Sequence, residues 1–336
     1  MNNSIFDVCA IGNAMVDVLS FESFELVEKL GLEPGAMNLV DAEQADQIYE
    51  AMGPGTERSG GSAANTTVGM VSFGGRSAFI GRIADDTFGE IYRHDLLTAG
   101  VHFAAAVAPD DADPTGRCLV MVTPDAQRTM CTFLGAGRNL DPSIVDHSIV
   151  AASQVLYLEG YLWDEPSAKL AFLHAADIAH AAERQVALTL SDPFCVERHR
   201  AAFLDLVADH VDILFANEAE ICSLYEVDDF ERAVSKVAAQ CEIAAVTRSA
   251  QGSVVIAEGD RHAVPAVPVT VVDTTGAGDL YAAGFLTGFT RGLPLEQCGQ
   301  LASLAASEVI SHLGARPERS LQTLAGPLLT RAGGDD

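Results

Sequence analysis

The chain has 336 residues, 49% of them apolar, which is enough for a sizeable core and too many for a disordered chain. Its 47 acidic residues against 20 basic ones give a formal net charge of −27, a field that repels nucleic acid and anionic membranes. Seven cysteines without a CxxC pair argue against a disulfide framework and fit a reducing cytoplasm, so the expected location is cytoplasmic.

The N-terminal stretch MNNSIFDVCAIGNAMVDV lacks the basic region of a secretory leader. No apolar run reaches the ~18 residues of a membrane span. IFDVCAIG (5–12) reads as a buried strand that ends in glycine. SFELVEKLG (23–31) and AEQADQIYEAMG (42–53) read as short helices closed by glycine. GSAANTTVGMVSFGG (61–75) predicts a helix whose small residues pack closely on a sheet. RSAFIGRIA (76–84) follows as a strand and TFGEIYRHDLLTAGV (87–101) as a helix. From 103 to 135 the pattern alternates between Pro, Asp and Gly turns, which predicts an antiparallel layer with one wet face.

Strands and helices then alternate. SQVLYLEGY (153–161), VALTLS (186–191) and VDILFAN (211–217) are strands, and 167–184 is a long amphipathic helix. EAEICSLY and FERAVSKVAAQC are helices, AAVTRS and SVVIAE pair around a turn, and VPVTVVD leads as a strand into a glycine turn. Helices at 277–291 and 297–314 complete the pattern, and the terminal GGDD is expected to fray. Repeated βα units imply a three-layer α/β/α fold with a central, mostly parallel sheet, and ligands at the carboxyl ends of its strands.

The glycine turn carries the chemistry. In DTTGAGD (273–279), Gly276 and Gly278 let backbone N–H groups converge, and the following helix adds its positive end. Together these make an anion site suited to phosphate. Asp279 has two readings: a first-turn acid favoured by the helix dipole, or a base that takes a hydroxyl proton as that oxygen attacks phosphorus. The chain has no GxxxxGK[ST], no GxGxxG after a strand, no HExxH and no GxSxG, which sets aside the P-loop, dinucleotide, zincin and nucleophile-elbow grammars.

DTTGAGD resembles the C-terminal signature of the ribokinase-like (PfkB) family of sugar and nucleoside kinases. GGSAANTTVGMVSFGGRSAFIGRIADDTFGEIYRHDLLTAGV (60–101) is similar to its N-terminal signature, and the resemblance spans about residues 5 to 318. GNAMVDV, GLEPGAMNLVD, TLSDPF and VDILFANEAE resemble the adenosine kinase branch, while PDAQRTMCTFLGA is also similar to sugar kinases.

The resemblance implies one ribokinase-like domain over 1–336, with a small β lid built from two excursions near 14–40 and 103–135. It implies that Asn13 and Asp17 bind sugar hydroxyls, that Gly60 and Gly61 form a lid hinge, and that Gly61, Ser62 and Asn65 hold the ribose. Gly276, Ala277 and Gly278 would be the anion hole and Asp279 the base. Asn217 and Glu220 would organise Mg²⁺ through its waters, Thr247 and Gly252 would contact ATP, and Arg128 would reach the site from the lid. A purine would lie among Met15, Met37, Leu39, Met130, Tyr161 and Phe194.

Each residue also has a plainer role. Asn13 can cap a turn, Asp17 can face solvent, Asn217 and Glu220 can form a capping box, and methionines and aromatics can fill a core. In VTRSAQGSVV, Arg248-Ser249 replaces a small pair, so the backbone near the adenine of ATP differs or Arg248 touches a phosphate.

The implied reaction is transfer of a phosphoryl group from ATP to the 5′-hydroxyl of a nucleoside, adenosine first. A sugar kinase acting on ribose, fructose or 2-keto-3-deoxygluconate is the alternative, and a non-catalytic nucleoside-binding protein is the second. The partners are therefore small molecules, with no nucleic acid or membrane, and the chain is expected to be a monomer or a homodimer.

Overall fold

A computed structural model describes residues 4–109, 112–125 and 127–329; the terminal GGDD lies outside them. In chain order the described strands are β1 (Phe6–Ile11), β2 (Met15–Phe21), β3 (Met37–Leu39), β4 (Thr56–Gly60), β5 (Ser77–Ile83), β6 (His102–Val107) and β7 (Gly116–Val122). They continue with β8 (Arg128–Phe133), β9 (Ser153–Glu159), β10 (Gln185–Thr189), β11 (Ile213–Asn217), β12 (Ile243–Thr247), β13 (Ser253–Ala257) and β14 (Asp260–Val264).

Nine of them form one sheet in the order β14-β13-β12-β11-β10-β9-β1-β5-β6. The pairs from β6 to β12 are parallel, and β13 and β14 add an antiparallel edge. Central strands such as FDVCAI and ILFAN are apolar on both faces because helices cover both. Val8, Ala10, Tyr157 and Phe215 point into one core with Leu280, Phe285 and Leu301. Cys9, Ile11, Leu156 and Leu158 point into the other with Phe172 and Phe203. The three-layer α/β/α expectation is met.

The helix Ser62–Ser72 packs on the sheet and also on the helix Ala277–Thr290: a side chain at Gly69 would meet Ala283 and Leu280. Its run of small residues therefore serves a helix–helix contact as well as the expected helix–sheet one.

The smaller sheet has the order β3-β8-β7-β2-β4. Its make-up differs from the expected excursions at two places. Strand β6 belongs to the large sheet, because the helix Thr87–Thr98 returns the chain parallel to β5 in an ordinary βαβ crossover. Its residues are half-buried or exposed along the whole strand, as an edge position gives. Strand β4 joins the small sheet from outside both excursions.

Two further differences are local. VPVTVVD is no strand: Pro265 and Pro268 lack N–H donors, and the segment is tied instead by Val272 N–H to the Ile310 carbonyl at 2.8 Å. The helix Pro193–Asp209, capped by Asp192, was not anticipated.

Candidate active site

The large sheet reverses its strand order beside β1, with β5 on one side and β9 on the other. In such sheets ligands bind outside the carboxyl ends at this crevice. Asn13 follows β1, Glu159 ends β9, Asn217 ends β11 and Thr247 ends β12, so the predicted residues gather at that end. Strand β2 leaves directly from Asn13, which roots the small sheet over the same edge.

The floor of the crevice is the start of the helix Ala277–Thr290. Gly276 is left-handed at φ +78°, and a Cβ there would lie 2.7 Å from Ala315, so the turn requires glycine. A Cβ on Gly278 would meet nothing within 4 Å. The protein does not fill the space beside that glycine. The first intrahelical bond runs from Leu280 N–H to the Gly276 carbonyl at 2.9 Å, and Ala277 N–H, expected in the anion hole, instead donates to the Thr274 carbonyl at 3.2 Å, so the N–H groups of Gly276 and Gly278 remain for a ligand at the helix mouth.

Asp279 sits on that mouth. Ser62 Oγ donates to its Oδ1 at 2.6 Å and Asn65 Nδ2 to its Oδ2 at 3.1 Å. Ser62 and Asn65 therefore spend these donors on the carboxylate, whereas the resemblance had them holding ribose. Burial raises the Asp279 pKa, and the Ser62 and Asn65 bonds oppose the rise.

Asn13 and Asp17 stand ready for polar partners. Asn13 is anchored by its N–H to Glu159 Oε1 at 2.8 Å and by Nδ2 to the Leu134 carbonyl at 3.2 Å, while its Oδ1 is buried without a partner. The Asp17 carboxylate has no hydrogen-bond donor among the described residues. Burial raises it to about 7, Arg316 opposes the rise and Asp279 adds to it. A side chain at Gly60 would strike that carboxylate at 2.3 Å. Gly61, at φ +94°, would press a Cβ to 2.4 Å from the Asn13 carbonyl.

One face of the small sheet carries Met15, Asp17 and Leu19 from β2, in register with Cys118 and Val120 of β7. Arg128 and Met130 of β8 and Met37 and Leu39 of β3 continue that face. Met15, Leu19 and Met130 pack with Cys118, Val120 and Val122, whereas Met37 and Leu39 are 56% and 66% exposed. Arg128 reaches down to the glycine turn, 2.6 Å from Asp273 and 2.7 Å from Thr275 Oγ1. Tyr161 and Phe194 are not on this face. Tyr161 is in the 3-10 turn Gly160–Asp164 after β9 and Phe194 in the first turn of the helix Pro193–Asp209, two segments joined by Tyr161 Oη to the Ser191 carbonyl and Cys195 Sγ to the Gly160 carbonyl.

Asn217 and Glu220 do form the capping box, with Glu220 N–H to Asn217 Oδ1 at 2.8 Å and Asn217 N–H to Glu220 Oε2 at 2.9 Å. Burial raises Glu220 to about 7. Thr247 sits opposite Asn217 across β11 and β12. Gly252 is fixed by the fold, since a Cβ would strike the Val264 carbonyl at 2.1 Å. Arg248 is engaged within the protein: it pairs with Glu218 at 3.0 Å and stacks 3.9 Å over Phe230.

Two residues of the site escaped sequence reasoning. Glu159 is 1% exposed and accepts from Asn13 N–H and Ala63 N–H, both at 2.8 Å. It thereby caps the Ser62 helix, whose own N-cap, Gly61, has no side chain. Burial raises it to about 7 against those two bonds. Arg316 links Asn65 and Asp95. The one sequence signal for Glu159 is an acid closing an apolar strand, and for Arg316 an arginine before proline in an otherwise structural loop.

A carboxylate fixed over a glycine-built helix start, at the switch point of a parallel sheet and beside a small second sheet, points to a class: α/β phosphotransferases with an alcohol acceptor. The chain belongs to the pfkB family of carbohydrate kinases, whose pattern matches residues 7–322. The solved adenosine kinase of Sinorhizobium meliloti is 50% identical, with TM-score 0.87 over 95% of this chain and 98% of that one. A probable sugar kinase from Rhizobium etli CFN 42 is 48% identical, with TM-score 0.88 over 96% and 98%. The adenosine kinase of Saccharomyces cerevisiae is 28% identical over 89% of this chain and 94% of its own. Fructokinases and 5-dehydro-2-deoxygluconokinases also stand among the relatives, at 24–30% identity. No helix among the described residues is long and apolar enough to cross a membrane.

Proposed function

We propose that the protein transfers the γ-phosphoryl group of ATP to the 5′-hydroxyl of adenosine, giving AMP and ADP. The observation that carries the choice of acceptor is the apolar lid face: Met15, Leu19, Met130, Met37 and Leu39 form a surface suited to a purine ring. The 50% identity to an adenosine kinase supports it.

In this reading Asp17 accepts from the ribose hydroxyls, because it is a carboxylate without a donor of its own, and Asn13 Oδ1 accepts from a third. Asp279 accepts the 5′-hydroxyl proton as that oxygen attacks phosphorus. The N–H groups of Gly276 and Gly278 take up charge on the phosphoryl oxygens, and the space beside Gly278 admits them. Thr247 and Gly252 line the nucleotide's approach.

Among the described residues no three acidic, histidine or cysteine side chains gather to hold a metal directly. Both Glu220 oxygens already accept from Asn217, so this donor set fits Mg²⁺ held through its waters. Mg²⁺ would supply neutralisation of phosphate charge, which so acidic a protein needs. Closure of the lid on Gly60 and Gly61 would exclude water, which otherwise competes as acceptor.

The test is ADP release with ATP and Mg²⁺ across adenosine, inosine, guanosine, ribose, fructose and 2-keto-3-deoxygluconate. Turnover with adenosine is expected. Turnover with free sugars alone would keep the base and the anion hole and overturn the lid assignment. No turnover with any of them, in a protein that still binds adenosine, would favour the binding-protein alternative.

A further inference from the structure

Arg316 occupies a position that the reaction outlined above leaves unexplained. It lies in the loop after the helix Leu295–Val309, and its side chain is 11% exposed. Nε donates to Asn65 Oδ1 at 3.2 Å and Nη1 to Asp95 Oδ2 at 3.0 Å, while Nη2 is buried without a partner. Asp95 Oδ2 also accepts from Ser59 N–H at 2.8 Å and Ser59 Oγ at 2.5 Å. Ser59 immediately precedes Gly60 and Gly61.

The loop itself is braced against the anion hole. Gly314 N–H donates to Asp273 Oδ2 at 2.8 Å, and Ala315 packs on Gly276. Pro317 restricts Arg316 to an extended backbone, which presets its direction.

We propose that Arg316 is a positioning residue that fixes the Asn65 amide, and through it the Asp279 carboxylate, while tying both to the hinge strand. The argument rests on donor and acceptor identity. An amide offers an acceptor on one side and donors on the other. Arginine has donors only, so Nε selects Oδ1 and turns Nδ2 toward Asp279. A flipped amide would set donor against donor at Arg316 and acceptor against acceptor at Asp279.

The charges around Asp279 make this contact matter. Asp17 from β2 and Glu159 from β9, when ionised, interact unfavourably with an ionised Asp279, and Tyr157 and Tyr161 stand near it as neutral phenols. Ser62, Asn65 and Thr66 Oγ1, which donates to the Asp279 carbonyl at 3.2 Å, approach from the helix Ser62–Ser72. Arg316 is the cation that opposes burial at Asp17 and holds Asn65.

This inference rests on Asp279 being the base, and the test separates the two. kcat would be measured from pH 5.5 to 9, with the acceptor that turns over best, for wild type, Arg316→Met, Arg316→Lys, Asn65→Ala, Asn65→Ala/Arg316→Met and Asp279→Asn. Arg316→Met should lower kcat about tenfold at neutral pH and move its acid limb upward, with KM for ATP unchanged. Arg316→Lys keeps the charge without the fork and should leave the limb displaced. The double variant should match Asn65→Ala alone. An unmoved limb in Arg316→Met, or effects that multiply in the double variant, would overturn the proposal. If Arg316→Met does not fold, a wild-type limb in Arg316→Lys overturns it. Full turnover in Asp279→Asn would instead overturn the base.

Discussion

The floor of the site and the face of the lid are built on opposite terms. On the floor, polar side chains are held by partners far away in sequence: Ser62 and Asn65 hold Asp279, and Glu159 holds Asn13 and Ala63. On the lid face, Met37 and Leu39 are exposed and Asp17 lacks a donor. In the proposed reaction, a floor satisfied by the fold serves phosphoryl transfer whatever the acceptor, and a face left open takes its contacts from the acceptor. One family can therefore hold the chemistry fixed and vary the substrate, as relatives that act on adenosine and on sugars illustrate.

The largest expected effect breaks the floor. Asp279→Asn keeps the volume and one acceptor oxygen for Ser62 or Asn65, and removes the proton acceptor. kcat should fall about 10²–10⁴-fold with little change in acceptor binding by calorimetry. Next come the two glycines. Gly278→Ala adds a methyl to open space, so its melting temperature should stay near wild type while activity drops about 10²-fold as the phosphate space fills. Gly276→Ala should instead lower the melting temperature, because a left-handed turn and Ala315 both oppose the side chain. Equal melting temperatures for the two would contradict the division between a glycine needed by the fold and one needed by the ligand.

The contrast also marks what the sequence made legible. Asp279, Gly276 and Gly278 stand within four residues of one another, so their arrangement follows from a local turn. The parallel sheet was legible from long apolar runs, and β6 was misassigned because a short, half-buried edge strand lacks the solid apolar run of a central one. Glu159 lies 146 residues from its partner Asn13 and Arg316 lies 251 from Asn65, and no local pattern joins such pairs. Tyr161 and Phe194 were grouped with the lid methionines by position in the resemblance, and the chain carries them on the turn Gly160–Asp164 and the helix Pro193–Asp209 rather than on the small sheet.

A smaller effect sharpens the lid side. Met37→Ser and Leu39→Ser remove apolar surface that the ligand-free protein leaves exposed, so stability should change little. If a purine covers these residues, KM for adenosine should rise about tenfold in each, from roughly 1.5 kcal/mol of lost burial, with kcat retained. Unchanged KM values would remove the purine from this face.

The smallest effect is thermal and involves both regions. Asp17, Glu159 and Glu220 are each raised to about 7, chiefly by burial. A carboxyl with a raised folded pKa binds its proton more tightly folded than unfolded. Its stabilisation is therefore present at low pH and lost as pH climbs from the ordinary range near 4 through about 7. The ligand-free protein should accordingly melt lower at pH 8 than at pH 5.5. Surface repulsion from the net charge of −27 gives the same sign, but salt screens exposed charges far more than buried ones. The slope that survives high salt belongs to the buried carboxyls. Asp17→Asn should flatten part of that slope, because it removes a titrating group on which no other side chain's hydrogen bond depends. Glu159→Gln should flatten it too, at the cost of about 1–3 kcal/mol, since an amide turns one donor toward the N–H groups of Asn13 or Ala63. A slope that vanishes in high salt for the wild type would assign it to the surface instead, and would leave these three carboxyls ionised throughout the range.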